Sequence, residues 1–532
     1  MTCRGGGTEL GIRLTPELRR PPLLRSGFFN ARASSPLLKV NYPTKFSAHF
    51  SKVNYLTNVN SLQESNFHYL FGVEHPGCFG TISLSDGSST LFVPRQPEAY
   101  TVWMGPPPSL EQVRATYKVD TARYVDELPK FLAESAPPLL HLYSGVNTDS
   151  GSKGTPAHFD GIDQYTREAS PPPHTTLVAL HTALYESRVI KSPDEIAVLR
   201  FASKVASQGH IEVMKQCRPG MMEYQLEAVF GHHCYMHGGM RSLAYTPIAG
   251  AGLNAAVLHY GHAGAPNNRE IGDGDMILSD MGAEYYCYAS DITCSYPANG
   301  KFTPDQRSVY LAVLECLRTV ESHMKPGTSY VEMHQLVEKT LAKHLIGMGV
   351  LTGDLDEIVA AELPAVFMPH GLGHNLGLDT HDVGGYPLGS IRATRPGLRA
   401  LRNVRTLKEG MMLAVEPGCH FILPVHARLV LSECAKFMNA ERIAGLRAFG
   451  GVRLEDNVVV TRDGHEVLTH VPREIEEVRF PGRDPGRDGV FVDHLSLKWR
   501  VAYCAPASPY CRDLRPAGGQ LLRGGGGGRR IP

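Results

Sequence analysis

The sequence predicts an α+β protein in which a smaller α/β domain precedes a larger C-terminal domain made of two similar α/β halves. One observation is a recurring phrase. Arg218-Pro219-Gly220 and Lys325-Pro326-Gly327 each follow one helical stretch and open another that ends in glycines. A second is that each pair of helical stretches is followed by strand-like runs finishing in carboxylates. A third is that short apolar runs alternate with turn residues ahead of both halves, as in an α/β unit. Pro-Gly is a common turn, so its recurrence alone carries little weight. The matching carboxylates supply the rest.

Composition narrows the function. The chain of 532 residues has room for two or three domains of roughly 150 residues each. With 53 Lys+Arg against 53 Asp+Glu the net charge is zero. Nucleic acid as the main partner is therefore excluded, because duplex binding requires a basic stripe. No run of about 18 apolar residues is present, so no membrane span is predicted. The 24 His, clustered in the second half, direct attention to metal or acid–base chemistry. The 11 Cys are odd in number and contain no C-x-x-C, which suits free thiols in a reducing compartment such as the cytoplasm.

Along the chain, residues 1–62 read as an irregular N-terminal extension. Its Arg4, Arg13, Arg19, Arg20, Arg25 and Arg32, with few acids, have the composition of a transit peptide. No amphipathic stripe accompanies them, so an irregular terminus is the preferred reading. Residues 63–187 form the smaller domain, with Leu91-Phe92-Val93 and Leu139-Leu140-His141-Leu142 as buried strands and Pro171-Pro172-Pro173 near its end. The larger domain spans 188–475. It opens on Ser192-Pro193-Asp194-Glu195, a capping box with Pro at the first helical position. Residues 476–532, with Gly524 to Gly528, form a tail too poor in apolar residues to offset its ordering entropy.

The chemistry lies in the larger domain. Met276 to Asp280 reads as a strand ending in a carboxylate, and Tyr285 to Thr293 as a second strand carrying Asp291. A hairpin between them would bring the two acids together. Asp is depleted from strands, so the pair needs a reason. His370, His374 and His381 fall within twelve residues, interleaved with Gly371, Gly373 and Gly377. Those glycines argue for a loop or strand rather than a helix. Glu416 ends the apolar run from Met411, and Glu455 sits in the β-rich run from Gly450 to Val460. A buried glutamate is costly unless cations face it. Four carboxylates and one His form a hard ligand set, better suited to Mn²⁺ or Mg²⁺ than to structural zinc. Two ions roughly 3.5–4 Å apart would relieve the repulsion among the acids.

These motifs resemble those of the pita-bread metallopeptidases, peptidase family M24: Asp280 and Asp291, His374 in Pro369-His370-Gly371-Leu372-Gly373-His374, Glu416 in Val415-Glu416-Pro417-Gly418, and Glu455 in Gly450 to Glu455. The stretches Phe71 to Val73, Thr90 to Arg95, Trp103 to Gly105, Gly145 to Gly151 and Leu258 to Asn267 look like those of the family's Xaa-Pro dipeptidases. The resemblance covers about residues 64–475. It implies that Asp280 binds one metal ion, that His374 and Glu416 bind a second, and that Asp291 and Glu455 bridge them. It further implies that Glu416 shuttles protons, that His259 and His381 contact substrate or stabilise the tetrahedral intermediate, and that His370 sits close by. Arg402 matches the position that grips the free carboxylate of a C-terminal Pro, with Arg453 near the same site. By spacing alone Arg402 cannot be chosen over Arg392, Arg395, Arg399 or Arg405. Trp103 resembles a residue that reaches across a homodimer into the partner's site.

The implied activity is hydrolysis of Xaa-Pro and Xaa-hydroxyproline dipeptides by a water activated between two divalent ions, Mn²⁺ by preference, in a cytoplasmic homodimer. An aminopeptidase P-like enzyme taking longer peptides is the alternative, and a non-catalytic scaffold of the same fold is a third reading. The sequence departs from the family at both ends: the lead-in before Gln63 lacks about one βα unit, and residues from Phe480 onward match none of it.

Overall fold

The computed structural model describes residues 37–41, 64–137, 140–143, 146–147, 159, 174–261, 267–422, 433–446 and 448–478. The Arg-rich start of the chain, most of Gly145 to Gly151, residues 262–266 and the Gly-rich tail lie outside them.

The smaller domain is built on a mixed sheet of β1 (Leu37–Asn41), β2 (Phe79–Ser83), β3 (Ser89–Val93), β4 (Thr121–Tyr124) and β5 (Leu140–Leu142), in the order β4-β3-β2-β1-β5. Residues 1–62 were expected to be irregular, and β1 corrects that. It pairs antiparallel with β2 and parallel with β5, holding the two together. Period-two alternation divides the sheet's faces. Phe79 and Phe92 point to one side, into a cluster with Leu128, Leu132, Leu140 and Leu142. Ile82 and Leu91 point to the other, against Phe67 and Phe71 of the helix Ser65–Phe71. Gly80 makes this approach possible, because a Cβ there would lie 2.3 Å from the Phe71 ring. That second cluster also takes in Leu184, Leu199, Tyr288, Leu376 and Met412, so the smaller domain packs on the larger through a continuous apolar layer.

The larger domain repeats one plan. In the first half the helices Pro193–Gln216 and Glu223–Gly238 lead through β6 (Ser242–Leu243) to an antiparallel sheet of β7 (Ile248–Ala251), β8 (Met276–Asp280) and, beyond the short β9 (Ala283–Tyr285) and β10 (Tyr288–Ala289), β11 (Thr293–Pro297). In the second half the helices Pro304–His323 and Tyr330–Gly347 lead to β12 (Gly373–Asn375), β13 (Met412–Val415) and, past the β14 (Gly418–His420) and β15 (Gly451–Arg453) pair, β16 (Asp456–Val460), with β17 (His465–Val467) added. Strand orders β7-β8-β11 and β12-β13-β16 correspond.

The helix signals act as chemistry dictates. Ser192 and Glu195 exchange backbone and side-chain hydrogen bonds ahead of Pro193, and Thr303 and Gln306 do the same ahead of Pro304. Gly220 and Gly327, the glycines of the recurring phrase, have φ of 85° and 93°, where an L side chain is strained. One expectation needs correction. Tyr285 to Thr293 is not one strand. Tyr286 and Cys287, with φ of 47° and 64°, make a two-residue turn between β9 and β10, and β11 begins only at Thr293.

Candidate active site

Each half delivers two carboxylates from equivalent places. Asp280 ends the middle strand β8, and Glu416 follows the middle strand β13. Asp291 lies just before β11, and Glu455 just before β16. His374 sits on β12, whose pairing sets it opposite Ala414. The close packing of β12 on β13 requires Gly373, where a Cβ would lie 1.9 Å from the Ala414 carbonyl oxygen. Asp291 and Glu455 are 5% and 1% exposed, so their charges are largely removed from water.

The side chains converge. His374 Nε2 is 3.3 Å from Asp291 Oδ2 and 3.8 Å from Glu416 Oε1. Arg453 forms an ion pair with Asp280 and lies 3.9 Å from Glu416 Oε2. Glu455 accepts a hydrogen bond of 2.6 Å from the Thr293 hydroxyl. Asp291, His374 and Glu455 each present a ligand atom within 4.8 Å of the others, and this trio could hold a metal ion. Four carboxylates, three of them buried, face the Arg453 guanidinium and the His374 imidazole, so the acids outnumber the cations that could pair with them. Burial pushes Asp280 up to about 6 and Glu416 up to about 7, and raises Glu455 well above its ordinary value. Burial would raise Asp291 as well, but the hydrogen bond and charge of His374 outweigh it and hold Asp291 down. A donor set of this composition fits divalent cations.

The remaining expected residues divide. His259, His370, His381, Arg402 and Arg453 line one cavity of about 650 Å³ together with Asp280, Asp291, His374, Glu416 and Glu455. Burial, reinforced by nearby cations, drops His370 to about 3 and His381 to about 2, so both rings are neutral and can donate or accept one hydrogen bond. The arginines that spacing left equivalent now separate. Arg395 pairs with Glu338 and Glu362, Arg405 with Glu186, and Arg392 stacks on Tyr386, whereas Arg402 lines the cavity. Trp103 does not. It is 75% exposed on the helix Glu98–Met104, between Val102 and Met104 at 79% and 61%.

Two contributors carried no sequence signal. The Tyr245 hydroxyl lies 2.6 Å from Asp280 Oδ1 and 2.6 Å from Asp291 Oδ1. Its one proton satisfies one acid at a time. Tyr245 precedes the acids by 35 and 46 residues, and no periodicity connects them. His420 is buried 5.4 Å from the His370 ring, and Gly418 leaves room for both. Behind the loop bearing His381, Asp382 accepts from Arg188 at 2.5 Å and from Lys191 at 2.8 Å, and its backbone N–H donates to Asn375.

Comparison with known proteins identifies the family. Residues 197–462 match the model of metallopeptidase family M24, and residues 51–140 that of the aminopeptidase P N-terminal domain. The chain belongs to metallopeptidase family M24 and is a hydrolase of the pita-bread fold. It is 51% identical to the Xaa-Pro dipeptidase of Homo sapiens over 79% of this chain and 84% of that protein, and 50% identical to that of Mus musculus over the same shares. Among solved structures it resembles Escherichia coli aminopeptidase P bound to the inhibitor Pro-Leu, with 30% identity, a TM-score of 0.66, and coverage of 83% of this chain and 93% of that one. No helix among the described residues is long and apolar enough to cross a membrane.

Proposed function

We propose that the chain is an Xaa-Pro dipeptidase that cleaves Xaa-Pro and Xaa-hydroxyproline dipeptides and works with two divalent metal ions per subunit, manganese by preference. The observation that carries this reading is the convergence of Asp280, Asp291, His374, Glu416 and Glu455 on one wall of a cavity whose lining also includes Arg402. Asp280, Asp291, His374, Glu416 and Glu455 would hold the ions, Asp280 serving one, His374 and Glu416 the other, with Asp291 and Glu455 shared between them. Bound ions supply a water of lowered pKa and polarise the scissile carbonyl. Glu416 would serve as the proton shuttle, accepting a proton from the attacking water and passing it to the departing proline nitrogen. His259 and His381 hydrogen-bond the reacting carbonyl, and His370 sits close by, its Nδ1 4.0 Å from Glu416 Oε2. Arg402, with Arg453 nearby, receives the substrate's terminal carboxylate, which a guanidinium binds bidentately.

The aminopeptidase P-like alternative is supported by the solved neighbours and by a fungal relative, "Probable Xaa-Pro aminopeptidase pepP" of Sclerotinia sclerotiorum, at 36% identity. The higher identity to the dipeptidases and the placement of Arg402 favour the dipeptidase. A scaffold reading is disfavoured because all five ligand-type residues are present and assembled. We assign the protein to the cytoplasm, which its free cysteines suit, and to a homodimer, to which the exposed Val102-Trp103-Met104 edge contributes. Products containing proline or hydroxyproline suit a role in collagen breakdown. Removal of metal with a chelator should abolish Gly-Pro hydrolysis, and reloading with Mn²⁺ should restore it with two ions bound per chain. Full activity in a metal-free sample would overturn the proposal.

A further inference from the structure

A second constellation of metal-ligand type lies away from the carboxylate centre, on the helix pair of the first half. His233 and His237 are one turn apart on the helix Glu223–Gly238, and their ring centroids are 4.6 Å apart. Residues at i and i+4 share one helix face, which is how two imidazoles can bind one ion. Glu212, on the neighbouring helix Pro193–Gln216, lines the same surface hollow of about 570 Å³, and none of its lining residues lines the active-site cavity. His233 lines this hollow, and its Nε2 atom is buried without a hydrogen-bond partner. Burial and the facing His237 ring lower the His233 pKa, leaving the imidazole free to offer a lone pair. Glu212 accepts from Gln216 at 2.9 Å and lies 3.6 Å from Lys215, contacts it would exchange to reach the rings.

We infer that His233 and His237, completed by Glu212, form a second metal site for a borderline divalent ion of the Zn²⁺ and Ni²⁺ class. Two nitrogens and one carboxylate match such ions, whereas the oxygen-rich active site matches harder ones. Ligands from two helices make the ion a clip between Pro193–Gln216 and Glu223–Gly238, and an ion that binds only the folded chain raises its stability.

The test uses the full chain with its active site loaded with Mn²⁺ and titrated calorimetrically with Ni²⁺. The wild-type protein should show one saturable Ni²⁺ event that is weakened in both His233→Gln and His237→Gln. Loss of an outer-shell partner costs about 10- to 100-fold in affinity, so loss of a direct ligand should cost at least about tenfold. Gly-Pro hydrolysis by the Mn²⁺-loaded variants should equal that of the wild type, which separates this site from the catalytic one. Ni²⁺ uptake that is absent from the wild type, or identical in all three proteins, would overturn the inference.

Discussion

Asp291 lies between His374 and the Tyr245 hydroxyl, 3.3 Å and 2.6 Å away. Asp291→Asn should reduce kcat/KM more than about 100-fold, beyond the range typical of outer-shell partners. Near-normal kcat in that variant would refute the bridging role. The carboxylates of the site were legible in the sequence because acids in apolar strands conflict with burial, and the conflict points to a cation. Tyr245 was not legible, since a tyrosine beside turns is unremarkable until the fold sets it between two acids. Tyr245→Phe leaves the ligands in place, so steady-state assays at varied Mn²⁺ should show metal affinity weakened by about 10- to 100-fold. The titration of the site carries its own sign. In the metal-free protein Asp280 and Glu416 are raised to about 6 and about 7, so their stabilising contribution is complete below their unfolded values and is lost as pH rises through that range. Metal ions need the ionised forms. Apparent Mn²⁺ affinity should therefore climb between about pH 5 and about pH 8, with protons released on binding. Calorimetry in two buffers of different ionisation enthalpy reads that release directly, and no release near pH 6 would contradict the assignment.

At the scale of elements, the recurring Pro-Gly phrase and the capping boxes marked where helices begin, because left-handed turns and orphan N–H groups have few solutions. They could not show that Tyr286 and Cys287 fold back, since neither is a usual residue for positive φ. Nor could spacing reveal β1, whose strand character depends on partners far along the chain. The loop carrying His381 is held by Asp382 against Arg188 and Lys191, all three side chains 2% exposed or less. Asp382→Ala would leave two buried cations short of a partner, a loss of about 3–5 kcal/mol. Thermal denaturation should show it as a clear fall in Tm, while Asp194→Ala, in the first turn of the helix Pro193–Gln216, should change Tm little.

For the whole molecule, the two halves line one cavity, each supplying a carboxylate from the end of its middle strand and another from the entry to its third. The smaller domain packs beside them through an apolar layer. The proposed preference for dipeptides rests on Arg402, which sequence spacing left among equals and which lines the cavity. Charge-assisted hydrogen bonds to a carboxylate contribute about 1.5–3 kcal/mol, so Arg402→Ala should lower kcat/KM for Gly-Pro about 10- to 100-fold. The most direct measurement is the ratio of kcat/KM for Gly-Pro to that for Gly-Pro-Pro with the Mn²⁺-loaded protein. The dipeptidase account predicts a ratio well above one that collapses in Arg402→Ala. More rapid cleavage of the tripeptide by the wild-type protein would contradict it.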